Sequence, residues 1–498
     1  MVAIRQWVVR RAWAFARLYR VIERLVVALA PAWRWLGRRR MEVVFGAVER
    51  PLKGLLFDCR MCGQCMVAQN GMVCPMVCPK SLRNGPCGGV RADGGCEVDP
   101  AMACVWVEGW AGQRAMRAGG GGPVQALAFQ PPLDYRRAGR SAWLEVALAA
   151  GEQPDRPGSP DWPGPPDWPG SPDRPGPPDT RCPSGPLEAA LRRGDFVVTA
   201  ELSPPDSADP DEIARRAVYF DGLVDAINVP DGSGANCHMS SLASSKILLD
   251  LGCAPVMQFT CRDRNRIALQ GDILGAAALG VVNLLCLSGD AVSAGDQPEA
   301  KPVFDLDSLS LLAAARGMRD DGRFLSGRPL SCPPQLFLGA ASNPFAPPTD
   351  ARLVRLERKI EAGAQFIQTQ FCFDLDALRR FMAAVCARGL DQRAFILVGI
   401  GPLVSARSAR WMRAHVPGVS IPDALIDRLE QAGDPRAEGR KICIEMIREI
   451  RHIEGVSGVH LMIHKHERLV SQIIARAGVL EGRREPPRRL GLAAVANA

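Results

Sequence analysis

Eight closely spaced cysteines are the residues of this chain whose type and spacing most clearly suit metal chemistry. Of the 17 cysteines in the 498-residue chain, eight lie between residues 59 and 104. They are Cys59, Cys62, Cys65, Cys74, Cys78, Cys87, Cys96 and Cys104. Spacings of two residues suit a tetrathiolate zinc ion or a [4Fe-4S] cluster, and a run of three cysteines with a later Cys-Pro favours the cluster. The sequence therefore predicts one or two metal centres, either zinc or iron–sulfur.

A second candidate site consists of polar residues at the ends of apolar segments, among them Glu201, Asp290 and Gln370. A carboxylic acid in a dry site can deliver a proton near neutral pH, so Glu201 is the candidate general acid. The alternative is that Glu201 pairs with an inward-facing basic residue and has only a structural role. His464 and His466 also alternate near a segment end, but no third metal ligand is evident beside them. We expect these histidines to have an anion-binding or structural role.

The elements that would position the polar residues follow one another regularly after residue 186. Eight short apolar segments alternate with amphipathic helical patterns, which is the count of a (β/α)8 TIM barrel of the α/β class. The predicted strands are 196–202, 223–229, 254–261, 282–287, 336–341, 366–373, 395–400 and 459–465. Catalytic residues of such barrels lie at the carboxyl ends of the strands. Glu201, Asp290 and Gln370 are therefore expected around one barrel mouth.

Composition divides the chain into a basic arm, a Cys-rich domain, a linker, the barrel and a tail. The predicted boundaries are 1–50, 51–118, 119–186, 187–480 and 481–498. The linker repeats the motifs PDRPG and PDWPG, which favours an extended spacer. Few apolar residues surround the cysteines, so we expect a metal to hold that domain together. The tail is expected to be disordered.

The arm is strongly basic and amphipathic. Its first 50 residues hold eleven arginines and three acidic residues, which accounts for the whole net charge of +8. A nucleic-acid-binding surface on the rest of the chain is therefore disfavoured. One helical face carries Trp7, Phe15, Leu18, Ile22, Leu25, Val26 and Leu29, and Pro31 is expected to end the helix. We expect this face to pack on the protein's own domains; peripheral contact of residues 1–30 with an anionic membrane is the alternative.

The expected location is the cytoplasm. No apolar run reaches transmembrane length, and arginines interrupt the N-terminal apolar residues. An odd number of cysteines argues against a secreted disulfide framework and agrees with a reducing compartment. We also expect the chain to form a homo-oligomer.

Residues 196–480 resemble the catalytic barrel of the methylenetetrahydrofolate reductases. The similarity is carried by residues 200–205 (AELSPP), 287–290 (LSGD), 358–364 (RKIEAGA) and 370–374 (QFCFD). The resemblance implies a flavin-dependent oxidoreductase that interconverts 5,10-methylenetetrahydrofolate and 5-methyltetrahydrofolate by hydride transfer through flavin N5. NAD(P)H is the implied co-substrate, and a protein electron donor acting through the Cys-rich domain is the alternative.

The resemblance also implies roles for single residues. Glu201 is the implied general acid that opens the imidazolidine ring, Asp290 stabilises the resulting cation and tunes the flavin, and Gln370 binds folate. The residues implied to contact flavin are Gly289, Asp290, Gln258, Arg358 and Lys359. Those implied to contact folate are Gln370, Lys465 and His466. Gln258 replaces a His found in many members, and Lys465 or His466 replaces an Arg; we expect FAD rather than FMN.

The cysteine segment resembles the Cys-rich domain that accompanies these reductases in acetogens and other bacteria, through its cysteine spacing and residues 49–54 and 84–89. Two other functions remain as alternatives. One is a non-catalytic folate-binding or electron-transfer scaffold, and the other is a folate-dependent methyltransferase barrel. A methyltransferase would need paired cysteines at a strand end, and the barrel sequence has no adjacent pair.

Overall fold

The computed structural model describes residues 2–119, 129–149, 182–348, 351–463 and 466–490. The chain divides into two compact units. Residues 1–87 and 94–174 form the first, which we call the N-terminal unit, and residues 88–93 and 175–498 form the second, which we call the barrel unit.

The barrel unit contains eight parallel strands that close in sequence order, with β8 pairing to β1. The strands are β1 Val197–Glu201, β2 Ala226–Val229, β3 Pro255–Thr260, β4 Asn283–Leu287, β5 Phe337–Ser342, β6 Phe366–Phe371, β7 Phe395–Ile400 and β8 Val456–Leu461. The predicted (β/α)8 barrel is confirmed. Strand β8 lies three residues earlier than predicted, because the apolar run continues past the end of the sheet and hides the boundary.

Helices cover the outside of the barrel between the strands. They are α7 Pro186–Arg192, α8 Pro210–Ala217, α9 Ser241–Asp250, α10 Arg266–Ala278, α11 Ser308–Arg316, α12 Ala351–Glu361, α13 Leu375–Cys386, α14 Ala406–His415, α15 Asp423–Gln431, α16 Pro435–Ile450 and α17 Arg468–Ala477. Side-chain caps mark several of their starts: Asn265 accepts hydrogen bonds from the first turn of α10, and Asp374 does so for α13. Such caps satisfy amide groups that the helix itself leaves unpaired.

The interior of the barrel begins with an apolar layer at the amino-terminal ends of the strands. Leu187 of α7 joins Val197, Phe337 and Phe366 in one buried cluster, and the two phenylalanine rings stack 4.9 Å apart. Gly339 permits this packing, since a Cβ at that position would lie 2.2 Å from the Phe366 ring. Side chains alternate along a strand, so the next inward-facing residues lie two positions farther toward the carboxyl ends.

Within residues 2–119 and 129–149, the N-terminal unit contains six α-helices and the cysteine loops. The helices are α1 Val2–Arg10, α2 Ala12–Ala28, α3 Ala30–Leu36, α4 Arg38–Phe57, α5 Val105–Ala118 and α6 Ala142–Ala149. Helix α2 packs against α5 and α6, and α4 packs against α1, α3 and α6. Helix α4 runs through the boundary expected at residue 50, and α6 comes from the expected linker. The arm is therefore an integral part of this unit.

Two expectations for the arm are wrong. Pro31 does not end a helix: α2 ends at Ala28, and Pro31 lies in the first turn of α3, where its missing N–H is tolerated. The face of α2 predicted to pack is also not the one that packs. Ala12, Ala16 and Tyr19 are buried, whereas Leu18 is 55% exposed. Small side chains allow neighbouring helices to approach closely, which a search for large apolar residues overlooks.

The tail predicted to be disordered begins at residue 481, and its first part instead packs against the barrel unit. The Arg483 guanidinium lies 2.8 Å from the Asp225 carboxylate, with side chains 3% and 7% exposed, and Leu490 is also buried. Residues 491–498 lie outside the described residues. Within the described ranges, no helix combines the length and the apolar character needed to cross a bilayer.

Candidate active site

A buried polar network fills the barrel above its apolar layer. It consists of Thr199, Asn228, Gln368 and His460, from strands β1, β2, β6 and β8. The Gln368 amide donates to Thr199 Oγ1 at 3.1 Å and to Asn228 Oδ1 at 3.0 Å, and it accepts from Asn228 Nδ2 at 2.7 Å. His460 Nδ1 lies 3.0 Å from Thr199 Oγ1. Such a connected network fixes its side chains in one arrangement.

Glu201 lies at the mouth end of this network, at the last position of β1. Its Oε1 is 3.5 Å from His460 Nε2 and accepts a hydrogen bond from Gln258 Nε2 at 3.3 Å. The side chain is 21% exposed, so it is reachable from the mouth while two neighbours hold it. The structure thus brings together two of the predicted site residues, Glu201 and Gln258.

The loops that follow β2, β3 and β4 are tied to one another. Asp290 Oδ2 accepts a hydrogen bond from Gly234 N at 2.8 Å, and Asp231 Oδ2 accepts from Thr260 N and Oγ1 at 2.9 Å. Arg262 donates to the Gly232 carbonyl at 2.9 Å. Asp290 is therefore positioned at the mouth by a neighbouring loop and does not contact Glu201 directly.

Gly289 allows one of these loops to pass close to β3. Its φ is +91°, a conformation that favours glycine, and a Cβ there would lie 2.9 Å from Arg262 Cβ and 3.2 Å from Thr260 Cβ. A side chain at this position would fill the space between loop and strand. The position is therefore restricted to glycine by both conformation and contact.

Gln370 and Gln368 have different environments although both belong to β6. The register between β6 and β7 shifts between Gln368 and Phe371. Gln368 enters the buried network, whereas Gln370 is half-buried and its Oε1 accepts from Phe371 N at 3.0 Å. Gln370 is thus the residue of the pair that lies nearer the mouth, since it is farther along the strand.

Arg358 and Lys359 lie in the last turn of α12, and both are 9% exposed. Lys359 Nζ donates to the Ala341 carbonyl near the end of β5 at 2.5 Å. Burial lowers the pKa of Arg358, while the nearby Asp307 and Glu361 carboxylates act in the opposite direction. Two buried cations beside the upper part of β5 could neutralise an anionic group.

The residues predicted to follow β8 are only partly described. Lys465 lies outside the described residues, as does His464. His466 is exposed, and its backbone N–H closes a turn on Ile463 O at 3.0 Å. Since β8 ends at Leu461, His466 follows the strand and does not lie on it.

Sequence reasoning missed the network residues Thr199, Asn228 and His460. The signal for His460 is a lone histidine within the apolar segment predicted as strand 459–465. That predicted range does not show which face of the strand His460 occupies. Its inward position becomes apparent only when the pairing of β8 with β1 places His460 beside Thr199.

The cysteines of the N-terminal unit fall into two groups. Cys59, Cys62, Cys65 and Cys74 line a small pocket of about 20 Å³, together with Lys53 and other residues. Cys78 lies close enough to Cys96 and Cys104 for their charges to interact. The Cys87 thiol donates a hydrogen bond to Glu97 Oε1 at 3.3 Å.

The thiols differ in how readily they ionise. A hydrogen bond from the Cys74 thiol lowers the pKa of Cys59 to about 7, whereas burial raises the pKa of Cys78 to about 11. Among the described residues, no three His, Cys, Asp or Glu side chains converge as ligands of a single ion. A tetrahedral zinc site with bonds of about 2.3 Å would bring its sulfur atoms to within about 3.8 Å of one another. The predicted metal binding stays a prediction.

Comparison with known proteins gives two family matches. Residues 186–478 match the model described as methylenetetrahydrofolate reductase, and residues 39–125 match the one described as methylene-tetrahydrofolate reductase C terminal. The probable NADPH-dependent methylenetetrahydrofolate reductase of Caenorhabditis elegans is 28% identical over 50% of this chain and 36% of its own length. The 5,10-methylenetetrahydrofolate reductase of Pectobacterium carotovorum is 25% identical over 58% of this chain and 92% of its own.

The chain spans well under half the length of the eukaryotic relatives it matches. The matched region covers 36% of the Caenorhabditis elegans protein and 40% of the Schizosaccharomyces pombe protein. A Clostridium thermocellum structure, titled as an uncharacterized protein that binds two copies of 5-methyl-5,6,7,8-tetrahydrofolic acid, is 16% identical over 58% of this chain and 97% of its own. Its TM-score of 0.44 is too low to support an argument. The barrel match covers more than half of the chain. By its barrel sequence, its eight-stranded fold and its motif at Glu201, this chain belongs to the methylenetetrahydrofolate reductase family.

Proposed function

We propose that the chain interconverts 5,10-methylenetetrahydrofolate and 5-methyltetrahydrofolate in a flavin-dependent hydride transfer at the barrel mouth. The observation that carries the proposal is the position of Glu201, at the end of β1, held by His460 and Gln258. Family membership supports the reaction type. Because the alignments cover only part of several relatives, the substrates are proposed here and do not follow from similarity alone.

The residues present at the mouth fit a flavin. Gly289 lets the loop after β4 pack directly against β3 at the mouth, and Arg358 and Lys359 offer buried positive charge beside the end of β5 that suits a phosphate group. Phosphate is common to FAD and FMN, and the family resemblance is what favours FAD. A bound flavin would supply a hydride donor and acceptor whose reactivity nearby protein charges can adjust.

The chain's own residues would then handle the proton and the charge on folate. Glu201 donates its proton to the departing amine nitrogen of the imidazolidine ring, so that the ring opens to the 5-iminium cation. Asp290 carries negative charge that stabilises this cation. His460 and Gln258 hold the Glu201 carboxylate while it is ionised, and Gln370 orients the folate. Hydride addition to the iminium carbon completes 5-methyltetrahydrofolate, and the reverse reaction uses the same groups.

We further propose that the N-terminal unit holds two metal centres and that [4Fe-4S] clusters are the better fit. The run Cys59-x2-Cys62-x2-Cys65 with a later Cys74-Pro75 is a spacing typical of such clusters, and these four thiols line one pocket. The remaining four, Cys78, Cys87, Cys96 and Cys104, would hold the second centre. Such clusters would pass electrons from a protein donor, with NAD(P)H as the alternative reductant.

The substitution Glu201→Gln tests the catalytic proposal. It keeps the size and the hydrogen bonds of the side chain but removes the transferable proton, so single-turnover reoxidation of the reduced flavin by 5,10-methylenetetrahydrofolate should slow by about 10²- to 10⁴-fold. Stopped-flow absorbance of the flavin gives the rate. Glu430→Gln, at an exposed carboxylate that pairs with Arg410 on the outer helices, is the matched control. Equal rates in both variants would exclude Glu201 as the acid and favour a scaffold role.

A further inference from the structure

Helix α2 has two apolar faces, and only one of them is used within the N-terminal unit. The inner face, with Ala12, Ala16 and Tyr19, packs on α5 and α6. The outer face is an exposed ridge, which we call the α2 ridge and which consists of Leu18, Val21, Leu25 and Leu29. Their exposed fractions are 55%, 51%, 58% and 48%. At about 1.5 Å rise per residue the ridge is roughly 17 Å long.

Exposed apolar side chains are concentrated in this part of the molecule. Of the 21 large apolar residues that are exposed in the described ranges, 13 lie within residues 2–57, the segment that contains helices α1 to α4. Six lie in the whole barrel unit. Scattered apolar residues are normal on a protein surface, but a contiguous exposed set marks an interaction surface. The α2 ridge therefore belongs to the part of the chain in which exposed apolar side chains are concentrated.

Arginines border the α2 ridge. Arg17, Arg20 and Arg24 are exposed and lie on one flank of it by helical spacing. The first 50 residues carry eleven arginines against three acids, so the surface around the ridge is strongly positive. A second copy of this chain would bring like charges together on the same face. Charge complementarity favours an anionic occupant.

Exposed tryptophans flank the ridge along the chain. Trp13 is 41% exposed near the start of α2, and Trp35 is 85% exposed near the end of α3. Tryptophan prefers the boundary between lipid headgroups and acyl chains, and helices with arginines beside Leu and Trp commonly lie in that layer. A protein partner would need a matching apolar stripe, whereas a lipid surface offers acyl chains along the whole length.

We propose that the α2 ridge and its flanking arginines bind the N-terminal unit to the surface of an anionic lipid membrane. The ridge inserts at the headgroup boundary, and the guanidinium groups contact lipid phosphates. The contact is peripheral, which agrees with the lack of a spanning helix in the described ranges. It would hold the N-terminal unit, with its cysteines, at the membrane surface. This inference does not depend on the proposed catalytic function.

The test is flotation of the full-length protein with lipid vesicles. Vesicles of phosphatidylcholine alone are compared with vesicles containing phosphatidylglycerol, at low and at high salt. The wild-type chain should float with the anionic vesicles at low salt and much less at high salt. The double variant Arg20→Gln, Arg24→Gln should bind about 25-fold more weakly, at about five-fold per arginine near an anionic surface. Leu18→Ser with Leu25→Ser should also reduce binding.

Matched controls lie on the barrel unit. Arg380→Gln with Arg407→Gln removes two exposed charges, and Ile267→Ser removes a side chain that is 77% exposed; neither should change flotation. Circular dichroism and thermal unfolding of each variant check that it folds.

Three outcomes would overturn the proposal. The first is no flotation of the wild-type chain with anionic vesicles at low salt. The second is equal loss in the α2 and the control variants. The third is a wild-type chain that ignores vesicles but binds polyglutamate through Arg20 and Arg24, which would indicate an acidic protein partner.

Discussion

The chemistry proposed for Glu201 depends on the side chains that hold it. His460 reaches Glu201 through Nε2 and Thr199 through Nδ1, so the Thr199 hydroxyl orients the ring that supports the carboxylate. Gln368 contacts the same hydroxyl and links it to Asn228. Glu201, the proposed proton donor, is thus held through a chain of contacts that crosses the barrel. A substitution in the buried network below the mouth should therefore alter how the Glu201 side chain is held.

Thr199→Val tests this coupling. Valine has nearly the same shape but no hydroxyl, so His460 Nδ1 and Gln368 Nε2 each lose a partner inside the barrel. We expect the free energy of unfolding to fall by about 1–3 kcal/mol and the hydride-transfer rate to fall as well. Urea unfolding and stopped-flow absorbance measure the two effects. Thr199→Ser keeps the hydroxyl and should behave like the wild type; a Thr199→Val protein of wild-type stability would disprove the coupling.

The sequence was sufficient to predict that Glu201 lies at a strand end, but not which residues contact it there. Glu201 is a carboxylate at the end of an apolar strand, and such an end position can be located to within one residue by the Pro-Pro that soon follows. His460 depends on the register of β8, which the continuing apolar run concealed. Gln368 enters the buried network and Gln370 lies nearer the mouth. This difference likewise depends on the shift of register between β6 and β7, which no pattern of residue types reveals.

At the scale of elements, the barrel mouth consists of loops that are hydrogen-bonded to one another. Asp231 binds the end of β3, Arg262 binds the loop after β2, and Asp290 binds Gly234 in that same loop. Alternation of strands and helices in the sequence was enough to predict the elements. The links between loops could not be predicted, because they depend on which strands are neighbours and how far each loop reaches.

Gly289→Ala should disturb this set of loops. Alanine at a φ of +91° costs about 1–2 kcal/mol, and its Cβ would also press on Arg262. Gly327→Ala is the matched control, since its φ is +81° but nothing lies within 4 Å of the added Cβ. We expect Gly289→Ala to lose more stability than Gly327→Ala in thermal unfolding, and to retain less flavin after dialysis. Equal losses would mean that the contact with Arg262 is unimportant.

At the scale of the whole molecule, the chain joins a near-neutral barrel to a basic, cysteine-rich unit. The net charge of +8 belongs to the first 50 residues, and helices α1 to α4 make those residues part of the folded N-terminal unit. Composition located the charge and the cysteines. It could not show that the packed face of α2 consists of Ala12, Ala16 and Tyr19 or that the cysteines divide into two groups, because both depend on tertiary packing.

Replacing one cysteine of the first group tests whether the N-terminal unit holds the cluster while the barrel alone carries out flavin reduction by folate. Cys65→Ser should lower the iron and acid-labile sulfide of anaerobically purified protein by about half, because four thiolates hold one cluster. Reduction of the flavin by 5-methyltetrahydrofolate should be unchanged, because that half-reaction uses only the barrel. Cys332→Ser, at an exposed cysteine of the barrel unit, is the control. Zinc in place of iron in the wild type would instead assign the unit a structural role.

The central claim is that the barrel passes hydride between a bound flavin and the one-carbon group of folate. The most direct measurement mixes the full-length, flavin-loaded protein with 5-methyltetrahydrofolate under anaerobic conditions and follows the visible absorbance of the flavin. The claim predicts that the flavin is reduced and that an equivalent amount of 5,10-methylenetetrahydrofolate forms. A protein that binds both flavin and 5-methyltetrahydrofolate yet leaves the flavin oxidised would contradict it.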